Sequence, residues 1–541
     1  MGPGRLYSQR KGTRIPVRAI ETSSAHRYGE RVASHTVLDF PPETQDQTPL
    51  TPDAGLREDS AAAIPAGRAD QIAQGVITSL LFAVPALIAV HAACAYDPDA
   101  WWHLRTGEWI LQHHAVPQVD PFSATGAGKP WQAYSWLFEV LLLQLFQRFG
   151  MVGLVGYAAG MALAIAVATR HLVRRLQIDF SNVALLTLIA CFLINRLYTP
   201  RPWLFSILFF VLELDILMHV RKTGRLRELA WLPVIFALWS NTHIQFIYGL
   251  AILGCAVVEA LAVSRGIGVK TRLRAPWAFA ALAGSALATC ANPYGWHIYR
   301  TVYDLATQPG GLDQITELQA LQFRGLTDFG ILFLAIAAAA ALAWDKRFRV
   351  FETALLFFAV VVSFRSQRDI WVLITIAVAI LASTIQGRKT ALDRLPGWAT
   401  TLSAIAACLL VWTGFHVLRV NNTRLRTDVA KVLPIDAVDD IRAKGYSGPL
   451  YNDFNWGGYL IWALRMPVSI DGRGGFYGDK ILDRSIATWR AGSDWDSDPT
   501  LKSARLVLGP VQAPLVQVLR MDPHFQLVYE DKLAAVFVAR R

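Results

Sequence analysis

Two aspartates and a histidine lie close together in the segment DPDAWWH at residues 97–103. A carboxylate placed beside a reacting hydroxyl group can accept its proton. Asp97 followed by Pro98 is typical of a helix start, which would make Asp97 the N-cap and put Asp99 in the first turn. Because capping needs only one of the two carboxylates, we expect Asp99 to be the catalytic base, with Asp97 as the other candidate.

The same segment offers a second kind of chemistry. His103 lies four residues after Asp99 and therefore on the same helix face. Asp97, Asp99 and His103 would present oxygen and nitrogen ligands to a metal within about one helical turn. A divalent cation is therefore permitted, although nothing in the sequence requires one. The plain alternative is a capped interfacial helix that Trp101 and Trp102 anchor in the headgroup layer.

The composition is that of a membrane protein with several spans. Of the 541 residues, 53% are hydrophobic and only 17% are charged, whereas soluble proteins carry about 25% charged residues. Much of the net charge of +11 lies in short loops between apolar runs, which is a topology signal rather than a sign of nucleic-acid binding. The polar C-terminal region contains none of the five cysteines, so no disulfide framework or zinc site is expected there.

Apolar runs of about 20 residues can each cross a membrane as a helix. We predict eleven spans with the N-terminus cytoplasmic and the C-terminus outside, because the loops assigned to the cytoplasm are rich in Arg and Lys. The short run 136–149 could instead lie at the membrane surface. The first eight spans are predicted at 76–96, 151–168, 183–198, 203–220, 229–248, 250–263, 276–291 and 329–344. A ninth and a tenth form a tight pair that turns at 363–369 and ends inside at Arg388 and Lys389, and the eleventh is 398–417.

These segments define three parts of the chain. Residues 1–74 are predicted to be a disordered cytoplasmic tail, and residues 75–420 a mainly α transmembrane domain whose first external loop is 97–135. Residues 421–541 are predicted to be a small soluble α/β domain, with a helix at 436–445 and strands at 450–452, 468–471, 505–508 and 534–539. We interpret the glycine-rich segments 451–459 and 470–475 as tight turns with a structural role, in which Asp471 and Arg473 pair or bind a polar ligand.

The first external loop carries a recognisable pattern. It resembles a family of bacterial polytopic membrane proteins related to the GT-C glycosyltransferases, and the resemblance covers most of the chain. The matching residues are Asp97, Asp99, Trp101, Trp102, His103, Leu104, Gly107, Pro117, Asp120, Pro121, Phe122, Ser123, Thr125, Trp131, Trp136, Leu137 and Glu139. The resemblance implies a multi-pass protein of the bacterial cytoplasmic membrane, with a sugar on a polyprenyl phosphate as the donor. It also implies that an acidic residue of this loop, Asp97 or Asp99, serves as a base or a metal ligand, although Asp-Pro-Asp stands where several GT-C branches have Asp-Glu.

Transfer of a sugar from a lipid phosphate also needs cations that hold the leaving phosphate. Arg365 and Arg368 lie in the tight turn between the ninth and tenth spans and are the best candidates, although snorkelling to headgroups or pairing with Asp369 explains them equally well. Arg201, His103, His243 and Glu317 are further candidates for contact with the substrate. The acceptor is not identified by any motif, and no nucleic-acid partner is expected.

Two other functions compete with a glycosyltransferase. A transporter or flippase of lipid-linked glycans would place charged residues deep within several spans, where Glu213, Asp215 and Glu259 are partial examples. A non-catalytic scaffold with a glycan- or partner-binding external domain would tolerate the loss of both Asp97 and Asp99.

Overall fold

The structure, a computed structural model, describes residues 68–92, 97–307, 315–385, 393 and 395–540. Most of the predicted tail, together with Arg388 and Lys389, lies outside these residues. Within them the first helix begins at Arg68, a few residues before the predicted start of the transmembrane domain at residue 75.

The described residues before the C-terminal domain are mainly helical. Its helices are α1 Arg68–Ala92, α2 Pro98–His113, α3 Trp136–Phe149, α4 Met151–Leu176, α5 Phe180–Ile194, α6 Trp203–Thr223, α7 Trp231–Thr242, α8 Phe246–Ser264, α9 Ala275–Ala288, α10 Ile298–Thr307, α11 Leu326–Trp344, α12 Val350–Arg365, α13 Ile370–Thr384 and α14 Gly397–Val417. Each of the eleven predicted spans coincides with one of these helices. The chain is therefore a multi-pass membrane protein with a mainly α fold.

Helix length separates these segments into two groups. Eight helices in the described residues are long and apolar enough to cross a membrane: α1, α4, α5 with the turn after it, α6, α8, α11, α13 with the turn before it, and α14. The three others, α7, α9 and α12, have 12, 14 and 16 residues. At 1.5 Å per residue they reach only about 18–24 Å, less than the ~30 Å of hydrocarbon in a bilayer. The count of eleven is therefore supported for eight segments and stays a prediction for these three.

The bundle is organised around α13. Its residues 370–382 are buried without exception, so it is apolar on all faces, as expected of a helix surrounded by other helices. By contrast, α14 leaves Trp398, Leu409 and Trp412 more than half exposed, which is suitable for a surface that faces lipid.

The C-terminal domain is built on a four-stranded sheet. Its strands are β1 Leu450–Asn452, β2 Leu506–Pro510, β3 Phe525–Glu530 and β4 Ala534–Ala539, in the order β1-β2-β4-β3. β1 and β2 are parallel, and the other neighbours are antiparallel. The helices around it are α15 Asn422–Val429, α16 Ile435–Lys444, α17 Phe454–Leu464, α18 Gly474–Tyr477, α19 Asp479–Trp489, α20 Pro499–Lys502 and α21 Pro514–Leu519.

Two predictions for this domain are wrong. Residues 468–471 do not form a strand of the sheet, because Val468 pairs instead with Ser123 of the first loop in an isolated parallel bridge. Most of segment 451–459 is helical rather than a tight turn, since Asp453 accepts a hydrogen bond from the Asn455 N–H and caps α17. The glycines of α17 permit close packing: a Cβ on Gly458 would lie 2.6 Å from the Pro98 carbonyl oxygen at the start of α2.

The C-terminal domain and the first loop therefore lie on the same side of the helical bundle. Trp101 of α2 packs edge-on against Tyr459 of α17, with ring centroids 5.2 Å apart. The segment 315–321 joins them near the turn at 365–369, where the Gln367 N–H donates to the Gln319 carbonyl. We call this side of the protein the loop face.

Candidate active site

The start of α2 is shaped by Asp97. Its backbone is extended, with φ −58° and ψ 118°, and its Oδ1 accepts a hydrogen bond from the Asp99 N–H at 3.0 Å. This is the predicted N-cap, and it fixes the direction in which the Asp99 side chain leaves the helix.

Arg201 joins the two carboxylates. Its Nε donates to Asp97 Oδ2 at 2.7 Å, and its Nη1 donates to Asp99 Oδ2. The Tyr157 hydroxyl holds the Arg201 carbonyl at 3.0 Å, and the guanidinium lies 5.1 Å from the ring centroid of Trp203. The predicted site residues Asp97, Asp99 and Arg201 therefore form one ion-paired cluster on the loop face.

Asp99 has the electrostatics of a general base. Its pKa is raised to about 7, mainly by burial; Arg201 lowers the pKa, and Asp97 and Glu317 add to the rise. Burial lowers the pKa of Arg201, but the two aspartates outweigh burial and the net shift is upward. The Asp99 side chain is 14% exposed and that of Asp97 only 8%, so Asp99 is the more accessible of the two.

Arg368 is connected to this cluster through Glu317, whose charge acts on Asp99, Arg201 and Arg368. Its Nη1 is 3.8 Å from Glu317 Oε1, and its buried Nε has no hydrogen-bond partner among the described residues. The neighbouring Asp369 is held by Gln245 at 2.5 Å and by the Tyr248 hydroxyl at 3.1 Å. Arg368 is therefore a positioned cation whose Nε–H group could donate a hydrogen bond to a ligand.

Arg365 has a different environment, although it belongs to the same turn. It is exposed, and its guanidinium donates to the Ala306 carbonyl at 3.4 Å. The structure thus distinguishes two arginines that the sequence treated alike, and it places only Arg368 beside Glu317.

His103 does not take the role predicted for it. Its ring is buried, and its Nδ1 lies 3.1 Å from Glu139 Oε1 of α3. Burial lowers the pKa of His103 and raises that of Glu139, which disfavours the charged form of each group. The pair ties α2 to α3 and is not a cationic contact for phosphate.

The structure does not bring the three candidate metal ligands together. Arg201 occupies both carboxylates, while the His103 ring is turned to Glu139. Within the described ranges no group of three or more His, Cys, Asp or Glu side chains could hold a metal ion. The side chains of Asp97, Asp99 and His103 do not fit a metal site. They share about one helical turn, but they face different partners and do not converge on one point.

His243 is buried at the end of α7. Its Nδ1 lies 2.8 Å from the Ser206 hydroxyl oxygen, which also accepts a hydrogen bond from Trp239 Nε1 at 2.8 Å. A charge on His243 would lower the pKa of the buried His103, which burial itself lowers most. These contacts support a structural role for His243, which connects the end of α7 to α6.

Arg473 is the centre of a second buried cluster, in which its pairing with Asp471 was one of the predicted alternatives and its bond to Asp120 was not predicted. Arg473 donates to both oxygens of Asp471, at 2.8 and 2.7 Å, and to Asp120 Oδ1 of the first loop at 2.8 Å. Its guanidinium lies 4.6 Å from a ring centroid of Trp131 and 5.1 Å from that of Phe476. Asp120 accepts hydrogen bonds from the N–H groups of Phe122 and Ser123, and it also binds Arg473 of the C-terminal domain.

Tyr134 is a residue that the sequence analysis missed. Burial raises its pKa, and its hydroxyl lies within electrostatic reach of Arg368, Glu139, Asp99 and Arg201. A tyrosine directly before an apolar helix gives no sign of this position. Only the packing of α3 against α2 reveals it.

The chain is similar in fold to solved structures of membrane proteins. No family model and no curated protein matches the chain. Among solved structures, the archaeal oligosaccharyltransferase AglB from Archaeoglobus fulgidus, in complex with an inhibitory peptide and a dolichol-phosphate, is 11% identical, with a TM-score of 0.51 over 80% of this chain and 69% of that one. ArnT from Cupriavidus metallidurans, bound to undecaprenyl phosphate, is 13% identical, with a TM-score of 0.47 over 85% of this chain and 97% of that one.

The likeness to AglB shows a shared fold. AglB is a GT-C glycosyltransferase, so the resemblance seen in the first loop is confirmed at the level of fold. The chain has a GT-C-like membrane fold with a small α/β domain on the loop face.

Proposed function

We propose that this protein is a membrane glycosyltransferase that moves a sugar from a polyprenyl phosphate to a hydroxyl acceptor on the extracytoplasmic side. The observation that carries the proposal is the cluster of Asp99 with Arg201, beside Arg368. It combines a carboxylate whose pKa is about 7 with two cations, which is what the reaction requires. The dolichol-phosphate in the AglB structure supports a lipid phosphate as the donor group.

In the proposed reaction Asp99 accepts the proton of the acceptor hydroxyl. The acceptor oxygen forms a bond to the anomeric carbon of the sugar, and the bond between that carbon and the phosphate oxygen breaks. Arg201 and Arg368 stabilise the negative charge that develops on the leaving phosphate. Asp97 does no chemistry in this scheme, because it caps α2 and holds Arg201.

The structure offers less support for a transporter. Asp215 pairs with Arg175 at 3.0 Å, and Glu259 is bound by Arg221 at 2.5 Å. Two of the three carboxylates named as candidates for a transport path are thus paired with arginines. These arginines lie in the last turns of α4 and α6. Glu213 has no hydrogen-bond partner among the described residues, but a single buried acid does not make a polar path across the membrane.

The proposal is tested with the purified chain in lipid vesicles. Polyprenyl-phosphate sugars are supplied with acceptors of several classes, and release of polyprenyl phosphate is measured. Turnover that requires Asp99 supports the proposal. No release from any such donor, by a protein that is folded, would count against it.

Arg368→Gln should weaken use of the lipid donor. Hydrogen bonds to charged groups contribute about 1.5–3 kcal/mol, so we expect kcat/KM for the donor to fall by about 10- to 100-fold. Arg365→Gln should have a smaller effect, because Arg365 is exposed and bound to a backbone carbonyl. Arg300→Gln, at an exposed arginine of α10, is the control. Equal losses in the first two variants would show that the turn as a whole, rather than Arg368, holds the phosphate.

The pH dependence should report the ionisation of Asp99. The base acts when it is ionised, so kcat/KM should fall as the pH drops through about 7. Glu317 raises the pKa of Asp99 through its negative charge, and Glu317→Gln should therefore move this acid limb to lower pH. The measurement is the pH profile of donor turnover, with Glu530→Gln on β3 as a charge-matched control. An acid limb that stays in place in Glu317→Gln would remove Glu317 from the site.

A further inference from the structure

We infer that the turn at residues 471–474 of the C-terminal domain positions Asp99, and that Gly472 is the residue which lets its backbone reach the carboxylate. This inference rests on the proposed function, since it assigns a role in setting the orientation of the base. Gly472 is a positioning residue, because it contributes no reacting group.

The contact between Gly472 and Asp99 is very close. A Cβ added to Gly472 would overlap Asp99 Oδ1 and lie 2.9 Å from Cγ. The other oxygen, Oδ2, accepts from Arg201. The carboxylate is therefore held between a guanidinium on one side and a backbone turn on the other, which limits its rotation.

The turn is rigid enough to serve this purpose. The Arg473 side chain binds both oxygens of Asp471, and the Arg473 N–H donates to Asp471 Oδ1 at 3.0 Å. Asp471 is buried, and Arg473 is 6% exposed. A turn fixed by such a buried and satisfied network has little freedom to move away from Asp99.

The same turn contacts both the first loop and the segment 315–321. Arg473 binds Asp120, and the Thr125 hydroxyl donates to the Ser469 carbonyl at 2.5 Å, which ties the turn to the first loop. On its other side, a Cβ on Gly474 would lie 2.8 Å from Ile315, two residues before Glu317. The C-terminal domain therefore sets the spacing between Asp99 and the segment that carries Glu317.

The kinetic test compares Gly472→Ala with Gly509→Ala in lipid vesicles. Gly509 is a matched packing glycine of β2, where a Cβ would overlap the Trp489 ring and not Asp99. A misplacement of about 1 Å can cost about 100-fold, and we expect Gly472→Ala to lose kcat on this scale with the KM for the donor unchanged. Its acid limb should move to lower pH, because the added methyl group pushes the carboxylate towards Arg201, which lowers the pKa of Asp99. Kinetics and a pH profile like those of Gly509→Ala would overturn the inference.

A stability cycle tests the contact without turnover. Thermal unfolding of the full chain is measured for Gly472→Ala in the wild-type background and in Asp99→Ala, where the carboxylate is absent. The loss of Tm should be at least ~2 °C smaller in the second background. If Gly472→Ala alone does not fold, the double variant should recover folded protein. An equal loss of Tm in both backgrounds, or a double variant that does not recover, would contradict the contact.

The two proposals fail in different ways. If Asp99→Asn retains full turnover, the proposed function is wrong while the stability cycle still decides whether Gly472 touches Asp99. If Asp99→Asn is inactive and Gly472→Ala behaves like Gly509→Ala, only the positioning role is wrong.

Discussion

Asp99→Asn is expected to lower donor turnover by about 10²- to 10⁴-fold, the usual contribution of a positioned general base. The amide cannot accept the acceptor proton, yet its oxygen can still accept a hydrogen bond from Arg201. The fold should therefore survive, because Asp97 keeps both the cap of α2 and its bond to Arg201. Turnover is measured in lipid vesicles and folding by thermal unfolding.

Asp97→Asn is the matched control for this substitution. Asn is as good an N-cap as Asp, so α2 should start as before and only the charge beside Arg201 is lost. We expect a smaller loss of turnover than in Asp99→Asn. If Asp97→Asn is the more damaging of the two, the assignment of the base to Asp99 is wrong.

Arg473→Met is expected to be the most destabilising change on the loop face. Removal of one partner of a buried ion pair costs about 3–5 kcal/mol, and Arg473 compensates two buried carboxylates, Asp471 and Asp120. The expected results are a large drop in Tm and faster proteolysis of the C-terminal domain. Turnover should fall too, since the turn that touches Asp99 loses its support.

A triple variant separates charge from packing in this cluster. Adding Asp471→Asn and Asp120→Asn to Arg473→Met removes the uncompensated charges and should restore part of the lost stability. Burial raises the pKa of Asp471, but Arg473 outweighs burial and the net shift is downward from 3.8. Its contribution to stability is therefore present above pH 3.8 and is lost as the pH falls through the lower, folded-state pKa. A single Arg473→Met with wild-type Tm would show that the cluster does not hold the domain in place.

Several features were predictable because they depend on local composition. Helix α13 is apolar at almost every position, and Asp97-Pro98 is a strong start signal for α2. Strand β4 was predicted with its observed bounds because a short run of small and apolar residues stands between turn residues. Such signals involve neighbours in sequence, and the physical preference of each segment does not depend on distant contacts.

Other predictions failed where a distant partner decides the outcome. Val468 pairs with Ser123 rather than with the sheet, and His103 turns to Glu139 rather than to Asp99. The sequence separation in both cases is far beyond a helical turn, so no spacing rule could reveal these contacts. The two arginines of the turn at 365–369 are equivalent in sequence, and only packing placed Arg368 beside Glu317.

The sequence by itself determined that this is a multi-pass membrane protein with acidic residues at the start of its first loop. Hydrophobic length and capping preference are local properties, and they suffice for that conclusion. Only the tertiary structure decided which partners those acids have. Arg201 and Gly472 meet Asp99 from positions about 100 and 370 residues further along the chain. A buried carboxylate needs a compensating charge, and only folding brings Arg201 close enough to provide it.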